Sequence, residues 1–366
     1  VNFNNPTKAI SIAIPASGCL DPIITTSGSA AATGRTKNWV WNSQGRKWIF
    51  FLNTTGFFLT STATNDAPFG PQTRITNAGE TESFDIWDDG NNFQIAHGGS
   101  GASIFYWRYS HTSSGTVSLV TVSSLATCST SCIHPHITLN STGFPMLTYV
   151  NQGTNQHLLL RSRTANGVNW FNGTIPTIIN STTQAGARIH SIGSGNLVFL
   201  YQLNTDANLY AKQFYQANNS IGNAQALSSG GGVGGHFDSA VTNNNVVHAM
   251  FYTTVMRYVN RTNPTTSSSA VTVASGTRSG TDGGVALSVN KNTNNSFVAV
   301  FVSSSNRDII TYTASSGMTF GVGKTNTVGT GSRLYLGAEA YYTNNATLAV
   351  LAMDGTSAPF DVVYTS

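Results

Sequence analysis

The chain of 366 residues is 40% hydrophobic but only 9% charged, and its formal net charge is +4. Its 19 Phe, 13 Tyr and 6 Trp residues are spread along the whole length, which excludes a disordered chain because such chains are poor in aromatic residues. The sequence has no run of Lys or Arg and no apolar segment of about 20 residues, so it favours neither a nucleic-acid partner nor membrane insertion.

Short apolar strands separated by polar turns follow one another along the chain, which predicts antiparallel sheets. The clearest unit spans 132–182, where four predicted strands read CIHPHITL, FPMLTYV, HLLLRSRT and TIPTII. Its first strand ends near His136, and the first strands of other units end at equivalent marker positions. These markers are Asp85, His136, His190, Asp238, Ala286 and Glu339, separated by 51, 54, 48, 48 and 53 residues. The spacing predicts a repeated unit of about 50 residues.

The number of units and the two chain ends predict a single ring. We predict seven units, at 36–78, 79–127, 132–182, 185–229, 234–275, 281–330 and 333–366. The seventh unit stops after its third strand, whereas residues 7–16 form a spare strand that a polar loop at 17–36 connects to the first unit. We therefore expect one all-β domain, a seven-bladed β-propeller of four-stranded antiparallel blades, closed by the N-terminal strand in the last blade. A ring of six or eight blades and a pair of two-sheet sandwiches are the alternatives.

One repeat carries a family resemblance. The segment HPHITLNSTGFPMLTYV resembles the sialidase-like (BNR or Asp-box) propeller repeats of secreted microbial proteins, and RTANGVNW is similar to a degenerate Asp-box with Asn166 in place of the Asp. The resemblance implies architecture more than activity. The resemblance also implies that a sialidase would need three arginines to bind the sugar carboxylate and a Tyr–Glu pair as nucleophile. In this sequence only Arg188 is predicted to line the central channel of the ring, and Arg35 precedes the first unit.

The first strands present a polar face that we expect to line the central channel, because side chains two residues apart on a strand point the same way. These residues could bind an anionic or polyol ligand, or hold a divalent cation. Alternatively, they only hydrogen-bond one another, the backbone and channel water. We expect no cofactor. The predicted channel residues are Asp85, His134, His136, Arg188, His190, His236, Asp238 and Glu339.

Two features predict an extracellular protein. Eight Asn-x-Ser/Thr sequons predict N-glycosylation, at Asn53, Asn140, Asn172, Asn180, Asn218, Asn260, Asn294 and Asn345. The loop CSTSC predicts a disulfide between Cys128 and Cys132, which is typical of an oxidising compartment; three free thiols, including Cys19, are the alternative. No signal peptide opens the sequence, as expected of a mature protein or an excised domain.

We consider two functions. The first is a secreted, N-glycosylated structural, adhesive or glycan-binding protein, whose partners are glycans or its own copies and which could assemble into a surface appendage or filament. The second is a carbohydrate-active enzyme, a glycoside hydrolase or lyase, with its site at the mouth of the channel. Such hydrolysis requires a pair of carboxyl groups, for which Glu339 and Asp238 are the candidates. The sequence favours the first because it lacks a complete catalytic set.

Overall fold

A computed structural model shows an all-β chain. It describes residues 22–26, 40–53, 56–63, 69–76, 83–98, 102–170, 177–180, 187–193, 195–202, 208–227, 237–252, 255–261, 269–274, 285–290, 297–302, 309–314, 319–326, 333–338, 341–342, 350–354 and 360–365. These residues form seven sheets, five of four strands and two of five strands. We number the sheets along the chain by their innermost strands. Within the described part of the chain, no helix has the length and hydropathy needed to cross a membrane.

Strand β1 (Pro22–Thr26) precedes the first sheet in the chain. Sheet 1 contains β2 (Val40–Ser43), β3 (Arg46–Asn53), β4 (Gly56–Thr62) and β5 (Thr73–Thr76). Sheet 2 contains β6 (Ser83–Asp88), β7 (Asn92–Gly98), β8 (Ser103–His111) and β9 (Val117–Thr127). Sheet 3 contains β10 (Cys132–Leu139), β11 (Pro145–Asn151), β12 (Gln156–Arg161) and β13 (Thr177–Asn180). Sheet 4 contains β14 (Ala187–Ile192), β15 (Asn196–Gln202), β16 (Leu209–Tyr215), β17 (Ser220–Ile221) and β18 (Gln225–Ala226).

Sheet 5 contains β19 (Phe237–Val241), β20 (Val247–Tyr252), β21 (Met256–Arg261) and β22 (Val271–Ala274). Sheet 6 contains β23 (Val285–Asn290), β24 (Phe297–Val302), β25 (Ile309–Ala314) and β26 (Lys324–Asn326), and β28 (Tyr341–Tyr342) adds to it in parallel with β23. Sheet 7 contains β27 (Arg333–Ala338), β29 (Val350–Asp354) and β30 (Phe360–Thr365), and β1 pairs antiparallel with β30 at its outer edge.

The turn between β10 and β11 shows why these strands end where they do. The Oδ1 atom of Asn140 accepts hydrogen bonds from the backbone N–H groups of Thr142 (3.0 Å) and Phe144 (2.8 Å), which turns the chain back on itself. Gly143 adopts φ +80°, a left-handed conformation that favours glycine. The predicted turn at residues 140–143 is therefore formed by side-chain caps as well as by the glycine.

The hydrophobic core lies between consecutive sheets. Five clusters of buried apolar side chains fill the interfaces from sheets 1 and 2 to sheets 5 and 6. The innermost strands β6, β10, β14, β19, β23 and β27 contact one another in that order. Sheets that pack face to face around a row of inner strands are the architecture of a β-propeller. The prediction of an all-β propeller with four-stranded antiparallel blades is therefore confirmed.

The structure forms a strand where the sequence predicted part of a polar loop. Residues 7–16 lie outside the described residues, and Pro22–Thr26, which we expected within a polar loop, forms the strand that pairs with β30. The two Ile and two Thr residues of PIITT are β-branched and favour a strand, and pairing with β30 decides that this run forms one. Pro22 stands at the first position of the strand, where its missing N–H is tolerated.

Candidate functional site

Four predicted channel residues occupy equivalent places on the innermost strands of neighbouring sheets. Asp85 lies on β6, His136 on β10, His190 on β14 and Asp238 on β19. All four are almost inaccessible to solvent, with exposed fractions of 1%, 3%, 5% and 0%. We call these four residues the inner belt. Burial of two carboxyl groups and two imidazoles is costly unless partners satisfy them, so their partners decide what they do.

Three of the inner-belt residues accept a hydrogen bond from the backbone of the next sheet. The Oδ2 atom of Asp85 accepts from the N–H of Ile137 (2.8 Å), and the Nδ1 atom of His136 accepts from the N–H of Ile189 (3.1 Å). The Oδ2 atom of Asp238 accepts from the N–H of Leu287 (2.7 Å). Because first strands have no strand partner on their inner side in an open blade, these side chains satisfy N–H groups that would otherwise be buried alone.

His190 makes the corresponding contact through a side chain. Its Nε2 atom lies 2.7 Å from the Oγ atom of Ser239 in sheet 5. Its ring meets the ring of His136 edge to face, with 5.8 Å between the centroids. The inner belt therefore links sheets 2 to 6 in sequence, by one side chain at each boundary.

The contact to Ile189 determines which ring nitrogen of His136 carries the proton. A ring nitrogen that accepts an N–H bond carries no proton, so the neutral His136 ring holds its proton on Nε2. That Nε2 atom lies 3.5 Å from the Oδ2 atom of Asp85. Protonation of Nδ1 would set two donors against each other at Ile189. The geometry therefore suits a neutral, structural imidazole.

Arg188 and His134 differ from the inner belt because they are partly exposed. The Arg188 side chain is 11% exposed, its Nε atom lies 4.0 Å from the Oδ1 atom of Asp238, and its guanidinium carbon lies 5.9 Å from the Phe237 ring centroid. His134 is half-buried and has φ +51°. These two side chains are the described members of the predicted channel set that retain contact with solvent.

His134 and His136 do not follow the alternation that we used to place them on one face. The register of β10 against β11 shifts between Ile133 and His136, and the positive φ of His134 lies within that irregularity. An extra residue in a strand breaks the period of two, so a spacing of two residues no longer means a shared face. The assumption behind this pair was wrong, although His136 itself occupies the expected marker position.

Two predicted channel residues, His236 and Glu339, lie outside the described residues. Their positions relative to the inner belt stay predictions. Among the residues that the structure describes, no group of three or more His, Cys, Asp or Glu side chains is arranged to hold a metal ion.

A second set of polar contacts between sheets lies on the third strands, and the sequence interpretation missed it. The hydroxyl of Tyr109 donates to the carbonyl of Ile75 (3.0 Å), and the Nζ atom of Lys212 donates to the carbonyl of Ile178 (2.9 Å). Burial raises the pKa of Tyr109 and lowers the pKa of Lys212. Both residues lie on the third strand of a repeated unit, β8 or β16, where the sequence shows them. A tyrosine or lysine on such a strand is equally consistent with packing between sheets, so the sequence does not single them out.

Arg261 adds a third contact of this kind. Its Nη2 atom donates to the Oε1 atom of Gln225 (3.0 Å), which joins sheet 5 to sheet 4. We call Tyr109, Lys212 and Arg261 the outer belt. In the three backbone contacts of the inner belt and the three of the outer belt, the donor always belongs to the later sheet and the acceptor to the earlier one. The same direction therefore recurs in all six contacts, and the boundary between sheets 3 and 4 carries one contact at each radius.

The connection between sheets 2 and 3 contains the predicted disulfide. Cys128 and Cys132 are bonded to each other and are 5% and 0% exposed, which confirms the predicted pairing. The N–H of Cys128 donates to the carbonyl of Ala102 (2.6 Å), so the disulfide loop is also fastened to sheet 2. The bond holds together two sheets that the inner belt already joins through Asp85.

The sequons occupy different environments. Asn218 is exposed and Asn260 is half-buried, whereas Asn140 is only 6% exposed and its Nδ2 atom donates to the Oε1 atom of Gln216 (3.4 Å). Asn53 ends β3 and Asn180 ends β13. The remaining three, Asn172, Asn294 and Asn345, lie outside the described residues. Glycosylation at all eight stays a prediction, and Asn218 is more exposed than Asn140 and Asn260.

Comparison with known proteins supports the fold. No family model matches the chain, and no curated protein matches it in sequence. The BP39L lectin from Burkholderia pseudomallei matches in structure with a TM-score of 0.66 at 11% identity, over 90% of this chain and 96% of the lectin. A triple arginine mutant of AofleA from Arthrobotrys oligospora matches with a TM-score of 0.51 at 13% identity, over 79% of this chain and 88% of that one.

Sialidases are also among the structural neighbours. The NanB sialidase from Streptococcus pneumoniae matches with a TM-score of 0.47 at 10% identity, over 96% of this chain and 71% of the sialidase. Solved sialidases thus occur among the structures to which this chain is similar, as the loose resemblance of the repeats indicated. At these identities the similarity concerns the fold.

Proposed function

We propose that this chain is a secreted, N-glycosylated seven-bladed β-propeller that binds glycans at an extracellular surface. The observation that carries the proposal is the match to a lectin along nearly the whole of both chains, 90% of this one and 96% of the lectin. The disulfide between Cys128 and Cys132 supports an oxidising compartment.

The proposed ring has seven blades in one domain over residues 1–366. Seven sheets follow one another, and the pairing of β1 with β30 brings the N-terminal part of the chain into the last sheet. Closure of this kind supports a stable ring, because it joins the two ends of the chain by backbone hydrogen bonds.

We place a ligand-contacting group of the channel at Arg188, two residues before His190 on a regular strand, and propose His134 as a second group, although the irregularity in β10 removes the shared face with His136 that first suggested it. Both are partly exposed, whereas Asp85, His136, His190 and Asp238 are buried and engaged across sheet boundaries. A guanidinium offers five N–H donors to sugar hydroxyls or to a carboxylate, and a neutral imidazole offers one donor and one acceptor. His236 and Glu339 complete the proposed set by sequence alone.

The alternative is a carbohydrate-active enzyme with Glu339 and Asp238 as acid and base. The surroundings of Asp238 favour the binding function instead. Its carboxylate is 0% exposed and accepts hydrogen bonds from the N–H groups of Leu287 (2.7 Å) and Ser239 (2.6 Å). A catalytic carboxyl group must reach a substrate atom within hydrogen-bond distance, which this one does only if those bonds break.

The proposal includes adhesion and assembly with other copies, in a surface layer, appendage or filament. Only 9% of the residues are charged, so copies of the chain repel one another weakly. Glycans and further copies are the partners, and nucleic acid is not among them.

The experiment is a binding screen of the full-length glycosylated chain against immobilised glycans, followed by titration of the strongest ligand. We expect Arg188→Ala to weaken binding at least about tenfold, since a hydrogen bond from a charged group contributes about 1.5–3 kcal/mol. Arg257→Ala, which removes a half-buried arginine from a third strand, is the matched control and should bind like the wild type. If no glycan binds, the proposal fails; if Arg188→Ala binds normally, the location of the site fails.

A further inference from the structure

We propose that two copies of this chain associate through β9, the outer strand of sheet 2, which pairs antiparallel with the same strand of the second copy. The inference rests on the assembly part of the proposed function and does not depend on glycan binding. Three observations carry it: the length of the strand, its exposed apolar side chains and the distribution of sequons. Bulges in the strand limit the paired segment.

The length of β9 distinguishes it from the other outer strands. It has 11 residues and stands at the end of its sheet, with β8 as its neighbour on one side. The outer strands of the other sheets, β1, β5, β13, β17, β18, β22 and β26, have two to five residues. Short edges are a common protection against pairing between chains, and β9 lacks that protection.

Strand β9 presents exposed apolar side chains and carries no charge. Leu119, Val120 and Val122 are 56%, 47% and 57% exposed, and the strand sequence VSLVTVSSLAT contains no Asp, Glu, Lys or Arg. The other large hydrophobic residues exposed in the described part of the chain stand singly at Val168, Tyr215 and Val322. A contiguous exposed apolar segment marks an interaction surface more often than scattered residues do.

The sequons leave this sheet clear. No Asn-x-Ser/Thr occurs between Asn53 and Asn140, a stretch that contains all of sheet 2. The sequence ranges of the other six sheets each contain at least one sequon. A glycan is bulky and hydrated and would block an edge strand, so sheet 2 is the one whose edge glycosylation would spare.

The bulges limit the pairing to a short segment. The register between β8 and β9 skips Val120 and Leu125, so the regular stretch of β9 is Thr121–Ser124. Bulges at an edge discourage long ladders. We therefore expect a few backbone hydrogen bonds flanked by apolar contacts, which suits a reversible dimer.

The chemistry of the strand identifies a second copy as the occupant. An antiparallel pair about a two-fold axis sets the same strand against itself, so a charged strand would meet its own charges, whereas β9 meets none. Such an interface is closed, because each copy uses its β9 once. The association through β9 therefore ends at a dimer, and a filament would require a second surface.

The experiment is sedimentation velocity of the full-length glycosylated chain over a range of concentrations. We expect the wild type to dimerise reversibly. Val122→Asn forms a sequon with Ser123 and Ser124, so a glycosylating host would attach a glycan to the edge and abolish the dimer. Val122→Asn combined with Ser124→Ala removes that sequon and should restore most of the dimer. A melting curve of each variant verifies folding.

A charge variant gives a second measurement that does not need glycosylation. Val122→Lys should raise the dimer dissociation constant at least about tenfold, since like charges meet near the axis. Val168→Lys, the same change at a valine that is 60% exposed in the connection between β12 and β13, should leave it unchanged. A wild type that stays monomeric, or a dimer that survives Val122→Lys, overturns the proposal. Glycan binding by the monomeric variant shows that the proposed function stands independently.

Discussion

The carboxylate of Asp238 accepts a hydrogen bond of 2.7 Å from the backbone N–H of Leu287, across the boundary between sheets 5 and 6. Its other oxygen accepts from the N–H of Ser239 at 2.6 Å, and the residue is 0% exposed. The same type of contact joins Asp85 to Ile137 and His136 to Ile189. The polar residues that the sequence marks as a candidate site therefore connect neighbouring sheets.

The first prediction concerns Asp238. Asp238→Ala leaves two buried N–H groups without acceptors, at a cost of about 1–3 kcal/mol each, so it should lower the free energy of unfolding by roughly 2–6 kcal/mol. Asp238→Asn keeps one carbonyl oxygen and should lose less. Thermal melting should rank the wild type above Asp238→Asn, and Asp238→Ala last. Equal midpoints for the wild type and Asp238→Ala would contradict a structural role.

The second prediction concerns the close approach of sheets 2 and 3. A Cβ atom on Gly98 would lie 2.3 Å from the carbonyl oxygen of Cys132, which is backbone and cannot rotate away. Gly98→Ala should therefore separate the sheets and destabilise the protein by about 1–3 kcal/mol. Gly70→Ala is the control, because its Cβ would lie 3.4 Å from the Ser61 carbonyl, within ordinary contact. If both variants melt like the wild type, the close approach is wrong.

The third prediction concerns pH. Burial lowers the pKa of His248 from 6.5 to about 4, and its Nδ1 atom lies 2.5 Å from the Tyr258 hydroxyl. Between these two pH values the unfolded chain binds a proton that the folded chain does not. Stability from this group is therefore complete above pH 6.5 and falls as the pH falls toward 4, by about 3 kcal/mol in total.

His248→Gln tests this contribution, because glutamine has no charge change over that range and can still bond Tyr258. We expect the variant to lose less stability than the wild type between about pH 7 and about pH 4. Chemical denaturation of the wild type and of the variant at a series of pH values gives the free energy of unfolding of each, and the difference between the two curves is the quantity compared. Parallel pH profiles for the two proteins would contradict the buried, neutral state of His248.

The fourth prediction concerns the disulfide. A bond between residues four apart closes a short loop, for which the chain-entropy model gives a stabilisation of about 2 kcal/mol. Cys128→Ser with Cys132→Ser should lower the free energy of unfolding by that amount, and reduction of the wild type should have the same effect. Cys19→Ser is the control and should respond to reductant as the wild type does. A wild type insensitive to reductant would contradict a stabilising bond.

Much of the fold could be predicted from the sequence because the pattern of strands and turns repeats about every 50 residues. The alternation of strands and turns places the markers Asp85, His136, His190 and Asp238 on innermost strands, as the spacing of the repeats predicted. The disulfide was readable because CSTSC has two thiols close together. The sequence left two interpretations of the polar channel residues open, ligand binding and hydrogen bonding within the protein. The backbone contacts of the inner belt agree with the second.

The rest depends on register and on distant partners. The strand at Pro22–Thr26 could not be told apart from other short β-branched segments of the sequence. Pairing with β30, far along the chain, decides that this segment forms a strand. The irregularity at His134 depends on one extra residue, which composition does not reveal. The outer belt was missed since Tyr109 and Lys212 find their acceptors in the preceding sheet, far along the sequence.

Mass spectrometry of a glycan recovered after prolonged incubation with the wild-type protein that binds it distinguishes binding from cleavage. We expect the glycan to return intact, because the channel residues with known contacts hold sheets together and Asp238 is enclosed by backbone donors. Shortened or unsaturated products that disappear with Glu339→Gln would contradict this expectation and establish the enzyme instead.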